Sequence, residues 1–150
     1  MSFAEIILRV GITFVSWLVI YMHIIVVLVV PYGQCPDASA WRVSMVSGLF
    51  ALGAAFAIRY GHSIRGMRSA FRYFALPLLP LVPWSAWIVL PYLIGSTFGG
   101  SSVCNILLGE DSGLSAVSWQ RAWAPVQLAV LAAISFHAWR TWTDKPQDRA

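Results

Sequence analysis

Few side chains in this sequence have the chemistry to bind or react, and the most telling of them is a histidine. His23 stands inside an uncharged apolar run from Val10 to Val30. Thr13, Ser16, Ile20, His23 and Val27 recur at three- and four-residue steps, which puts the three polar side chains on one face of a helix. An imidazole turned toward hydrocarbon is unfavourable, so that face is expected to meet protein, and His23, with Thr13 and Ser16, becomes an intramembrane polar candidate. The plainer alternative is packing: a neutral histidine giving one hydrogen bond to a facing carbonyl or hydroxyl. His137 is a further candidate, but it sits beside Trp139 and Arg140, where its ring can reach toward water. Shared haem ligation would need the two rings at one depth. At about 1.5 Å per residue His23 lies about 10 Å from the outer end of its run, whereas His137 lies roughly 22 Å from the outer end of its own. No cofactor is therefore expected, and haem could bind only with a ligand from another subunit.

Prolines form a second constellation. Pro77, Pro80, Pro83 and Pro91 fall in one apolar window. Each removes a backbone donor and clashes with the carbonyl four residues earlier, which leaves Tyr73, Leu76, Leu79 and Trp87 short of helical partners. In hydrocarbon such carbonyls must be served by neighbouring helices, hydroxyls or water, and irregular backbone is tolerated only where it is buried in protein or lines a cavity. One reading is a broken helix beside a binding site or path, as transporters use, with Trp84 and Trp87 packed into its concave side. The other puts Pro77 in a first helical turn, where it costs little, and treats the remaining prolines as kinks.

Cys35 and Cys104 complete the set. They fall in two loops on one side of the membrane and are expected to form a disulfide if that side is oxidising, worth roughly 4 kcal/mol over so long a closed loop. There is no C-x-x-C pair and no accompanying histidine, so neither redox catalysis nor a zinc site is indicated. No nucleophile motif or phosphate loop is present, which argues against an enzyme acting alone.

The elements that position these residues follow from composition. Hydrophobic residues make up 59% of the 150, charged residues 11%, and the mean hydropathy is +0.71. A soluble domain carries about 25% charged residues, and no soluble core could hide so much apolar surface. A spanning helix needs about 20 largely apolar residues. Four windows qualify, about 10–30, 41–60, 74–98 and 122–142, within a single integral membrane domain. The first is too long for a signal-peptide core and lacks an A-x-A-like site, so it is expected to be a retained anchor. Arg9, Arg59, Arg65, Arg68, Arg72, Arg140, Lys145 and Arg149 fall on one side of the alternating loops, with Arg42 and Arg121 alone on the other. The positive-inside rule then places both termini in the cytoplasm, in a multi-pass protein of the cell membrane, for a bacterium the inner membrane. Trp41, Trp119, Trp123, Trp139, Trp142, Tyr60, Tyr73 and Tyr92 fall near span ends as an aromatic belt does. Before the fourth span, Asp111 or Ser112 can cap a short interfacial helix through Leu114, Val117 and Trp119.

The expected fold is thus all-α, four transmembrane helices in a compact bundle. Small residues at every fourth position, Ser47, Ala51 and Ala55 on the second span and Pro125, Ala129, Ala133 and His137 on the fourth, are read as its packing seams. The net charge of +4 lies at the membrane edge, which points away from nucleic acid. Arg59, Arg65, Arg68 and Arg72 are expected to attract anionic lipid, at about 1 kcal/mol each, or simply to set topology. Three functions compete: a small non-catalytic accessory or scaffold subunit of a larger membrane complex, contacting other subunits or further copies of itself; a transporter or channel component built on the proline-broken span; and a haem- or quinone-binding redox subunit. No Asp or Glu lies within the four windows, which disfavours a proton or cation relay and moves the balance toward the first.

Overall fold

The computed structural model describes residues 2–33, 39–61, 68–99 and 118–143. Among these residues the chain is almost entirely helical, without strands: α1 (Phe3–Gly33), α2 (Ser39–Gly61), α3 (Arg68–Ala75), α4 (Leu78–Tyr92), a π-helical segment (Leu93–Phe98) and α5 (Ser118–Thr143). Four stretches are long and apolar enough to cross a membrane: Phe3–Val29, Arg42–Tyr60, Phe71–Tyr92 and Arg121–Thr143. Cys35 and Cys104 with their expected disulfide, Arg65, and the expected interfacial helix up to Val117 lie outside the described residues.

The first helix starts earlier than apolarity alone predicts, because its charged opening is satisfied locally. The Ser2 hydroxyl accepts the N–H of Glu5 at 3.3 Å, a serine N-cap. Glu5 pairs with Arg9 one turn on, at 2.6 Å. The Arg9 guanidinium lies 4.4 Å from the centre of the Tyr60 ring, so the start of α1 is fastened to the end of α2. At its other end α1 continues through Pro31 to Gly33.

The proline-rich window is not one helix. α3 stops at Ala75, residues Leu76 and Pro77 form a turn, and α4 begins at Leu78. Pro77 therefore lies in the break and not in a first helical turn. The interrupted carbonyls find substitutes. That of Leu76 accepts the N–H of Leu79 at 3.2 Å, and that of Phe74, at the end of α3, accepts the Tyr21 hydroxyl of α1 at 2.6 Å. Pro83 and Pro91 are carried within α4, and beyond Pro91 the helix widens into the π-helical segment. That segment closes where Gly99 donates to the Ile94 carbonyl at 3.2 Å, and a Cβ at Gly99 would come within 2.8 Å of the Gly95 carbonyl oxygen, so this position needs glycine.

α1 packs chiefly against α2, and α5 against α4 and α2. The core between them holds Ile20, Ile24 and Val27 of α1, Ala51, Ala55 and Ile58 of α2, Leu78, Val82 and Val89 of α4, and Leu131 and Ile134 of α5. Leu49, Phe50, Phe56 and Phe136 face outward, so the helices are apolar inside and outside alike. Ala51 and Ala55 are fully buried, as a seam requires. The expected seam on α5 is corrected: Pro125 and Ala129 are exposed and Ala133 is half-buried, with only His137 inside. Steps of four residues advance 400° and drift off a face that alternating steps of three and four hold. The buried edge of α5 mixes steps of three and four through Trp123, Gln127, Val130, Ile134, Ala138 and Thr141. At the other end Arg72 of α3 lies 4.3 Å from the Trp142 ring centre, tying α3 to α5.

Because the Tyr21 hydroxyl serves a carbonyl at a helix break, Tyr21→Phe should lower stability by about 1 kcal/mol. Titrating the detergent-solubilised protein with denaturing detergent and following helicity checks this. An unshifted midpoint would show that the Phe74 carbonyl does not depend on Tyr21.

Candidate functional site

Three helices bring uncharged polar side chains together at one level. His23 lies six residues before Val29, Ser47 five after Arg42 and Gln127 six after Arg121, counted from the ends of their spans. At about 1.5 Å per residue these positions share a depth of about 8–9 Å. His23 is 1% exposed, and Ser44 and Gln127 are fully buried.

The hydrogen bonds converge on Ser44. Its carbonyl accepts the Ser47 hydroxyl at 2.9 Å and the Gln127 Nε2 at 3.0 Å, and its Oγ accepts the Trp123 indole N–H at 3.0 Å. Ser47 Oγ in turn lies 2.9 Å from His23 Nδ1. Gly48 forms the floor: a Cβ there would stand 3.3 Å from both Gln127 Nε2 and His23 Cε1. The absence of a side chain at Gly48 lets the imidazole and the amide lie this close to α2 without adjustment. Trp123 also meets the buried Tyr92 ring edge-on, centroids 5.9 Å apart, which extends the cluster to α4. Two acceptor-capable atoms inside it, His23 Nε2 and Gln127 Oε1, are buried without hydrogen-bond partners.

The other sequence candidates sit elsewhere. Thr13 and Ser16 share the buried face of α1 with His23, but their hydroxyls bond back to the carbonyls of Arg9 and Ile12 at 2.8 and 2.7 Å. His137 lies ten residues further along α5 than Gln127, its ring edge-on to Phe56 at 5.0 Å, and is not joined to His23. Pro77, Pro80, Pro83, Trp84, Trp87 and Pro91 all face outward, whereas Leu78, Val82, Ser85, Val89 and Tyr92 form the inward face of α4. The expected packing of Trp84 and Trp87 into a concave interior side is therefore corrected: they are 57% and 73% exposed. Of the basic loop, Arg59 is exposed and Arg72 stacks on Trp142.

Sequence reasoning missed Ser44, Gly48, Trp123 and Gln127. Gln127 carried a signal, being an amide in the interior of an apolar run, but a search for ionisable groups passes over it. Among the described residues no group of three or more His, Cys, Asp or Glu could hold a metal ion. No protein-family model, curated protein or solved structure matches this chain.

Filling the floor of the cluster tests how closely it is packed. Gly48→Ala should be nearly neutral, since a shift of a few tenths of an ångström accommodates it, whereas Gly48→Leu should destabilise by about 1–3 kcal/mol through overpacking. The same denaturation midpoint reads both variants, and equal midpoints would mean the helices are further apart than described.

Proposed function

We propose that this chain is a multi-pass protein of the cell membrane, the inner membrane in a bacterium, with both ends cytoplasmic. It works there as a non-catalytic accessory subunit that packs as a compact bundle against other helices of a membrane complex. Four apolar helices and eight of ten basic residues on one set of loops support the placement.

The observation that carries the subunit role is the outward face of α4. Pro80, Trp84, Trp87 and Pro91 occupy one side of that helix, with Pro83 at its edge, and no residue of this chain covers the two tryptophans among those described. Trp84 lies eight residues from the end of its span at Tyr92, about 12 Å into the hydrocarbon, far from the interface where indoles settle. An indole N–H facing lipid there has no acceptor, which is unfavourable by a kcal/mol or more, on the order of 1–3. On the same helix Pro83 and Pro91 have no N–H to give the carbonyls of Leu79 and Trp87. A partner helix with small and hydroxyl-bearing residues would satisfy both and accept the bulky rings.

The transport reading relied on the proline-broken span and on His23; the prolines of that span face away from the core of the bundle. The redox reading relied on the histidines and aromatics of the spans; the His23 ring is packed against Gly48 within the three-helix cluster, and the His137 ring lies against Phe56 instead.

A photo-crosslinking residue at position 84 or 87 should capture a neighbouring membrane protein in native membranes. The same residue at Leu49, which is 66% exposed on α2, should capture lipid. Trp84→Ala with Trp87→Ala should reduce stoichiometric co-purification in mild detergent at least about tenfold, equivalent to 1.4 kcal/mol. A crosslink-free monomer overturns the proposal. Cross-links confined to copies of this chain convert it to a homo-oligomer.

A further inference from the structure

The arginine-rich end of the bundle holds a fixed cation that meets no anion among the described residues. Arg72, half-buried on α3, sets its guanidinium 4.3 Å from the centre of the Trp142 ring on α5. Its Nε is buried without a hydrogen-bond partner, and no described residue forms an ion pair or hydrogen bond with the group. The two terminal NH2 groups are not closed off in this way, so the fork stays reachable while the indole holds its plane. Glu5 is the one acidic side chain among the described residues, and it is paired with Arg9 at 2.6 Å.

Position says which anion fits. Arg72 is the second residue of its span and Trp142 the last but one of its own, so both stand at headgroup level if the chain crosses the membrane as proposed above. Tyr73 and Leu76, 68% and 44% exposed, follow toward the membrane interior and offer apolar surface to acyl chains. A planar guanidinium binds phosphate through two parallel N–H···O bonds, and stacking on the indole fixes the plane in advance. We propose that Arg72, held by Trp142, binds the phosphate of an anionic phospholipid in the cytoplasmic leaflet. The site rests on the membrane placement proposed above. It differs from the diffuse attraction of a basic loop in depending on one arginine and on an uncharged ring.

The test is native mass spectrometry of the full chain in detergent, with phosphatidylglycerol, phosphatidylcholine of the same acyl chains, or inorganic phosphate added. Phosphatidylglycerol should be retained in preference to phosphatidylcholine. Arg72→Gln should weaken that retention about tenfold or more, as loss of a charge-assisted pair of bonds does. Arg72→Lys should recover part of it, and Trp142→Leu should weaken it with the charge unchanged. Arg59→Gln, an exposed arginine at the end of α2, should change it by no more than about twofold, since distant exposed charges are screened. Circular dichroism of each variant separates loss of lipid from loss of fold. Equal losses for Arg72→Gln and Arg59→Gln would overturn the proposal by reducing it to net charge. Displacement of the lipid by excess inorganic phosphate would overturn it in favour of a free anion, and retention that appears only with Asp144→Asn would overturn it in favour of that carboxylate. Carbonate extraction of native membranes reads the placement itself. A chain released with soluble proteins refutes the membrane reading, whereas one that stays in the bilayer without preferring either lipid refutes this site alone.

Discussion

The constraint on which the rest depends is that polar groups buried between these helices are cut off from bulk solvent, so most of them are met by another part of the chain. Ser44 shows how densely that is done. Its carbonyl and hydroxyl together accept three donors, from Ser47, Gln127 and Trp123, and Ser47 carries the connection on to His23. Small residues make it geometrically feasible: Gly48 lets the imidazole and amide reach α2, and Ala51 and Ala55 continue the close approach one and two turns along. Without that approach the bonds would not reach, and without the bonds the buried groups would be unfavourable by on the order of 1–3 kcal/mol each.

Polar side chains in the helices divide into two kinds. Thr13, Ser16 and Ser85 return their hydroxyls to a carbonyl one turn back on their own helix, which removes their demand for a partner and says nothing about which helix lies opposite. Ser44, Ser47, His23, Trp123, Gln127 and Tyr21 make bonds that cross between helices or link to one that does, and these are directional. The relative placement of α1, α2 and α5 is therefore specified at one level near the 33–39 connection, while arginine–aromatic stacking at Tyr60 and Trp142 fastens the far end. Between the two levels contact is apolar and small-residue packing.

Much of the architecture was legible because the helices are long, apolar and chemically uniform. The four apolar windows, the buried face through Thr13, Ser16, Ile20, His23 and Val27, and the α2 seam at Ala51 and Ala55 all follow from period and composition. The α5 seam was not, since a regular spacing of Pro125, Ala129 and Ala133 mimics a packing stripe, and only the facing helices decide which of two adjacent stripes turns inward. The direction of the proline-rich face was equally hidden: both faces of α4 are apolar, so hydropathy does not orient it. The polar cluster was half visible. His23 announces itself as a titratable group in an apolar run, but its partners are a serine, a glycine, an amide and an indole, from helices far apart in sequence.

Those sequence separations carry a consequence for biogenesis. The contact from His23 to Ser47 spans 24 residues, whereas those from Ser44 to Trp123 and Gln127 span 79 and 83. For the membrane placement proposed above, with the chain threaded into the bilayer as it is translated, the first hairpin can close on its own histidine–serine bond while the ribosome is still making α4. The Ser44 carbonyl then waits, served by its own helix and the Ser47 hydroxyl, until the last helix emerges and docks. Truncation before residue 118 would thus yield a joined hairpin whose α2 surface lacks its final partner, a species that cellular quality control can distinguish from the finished protein.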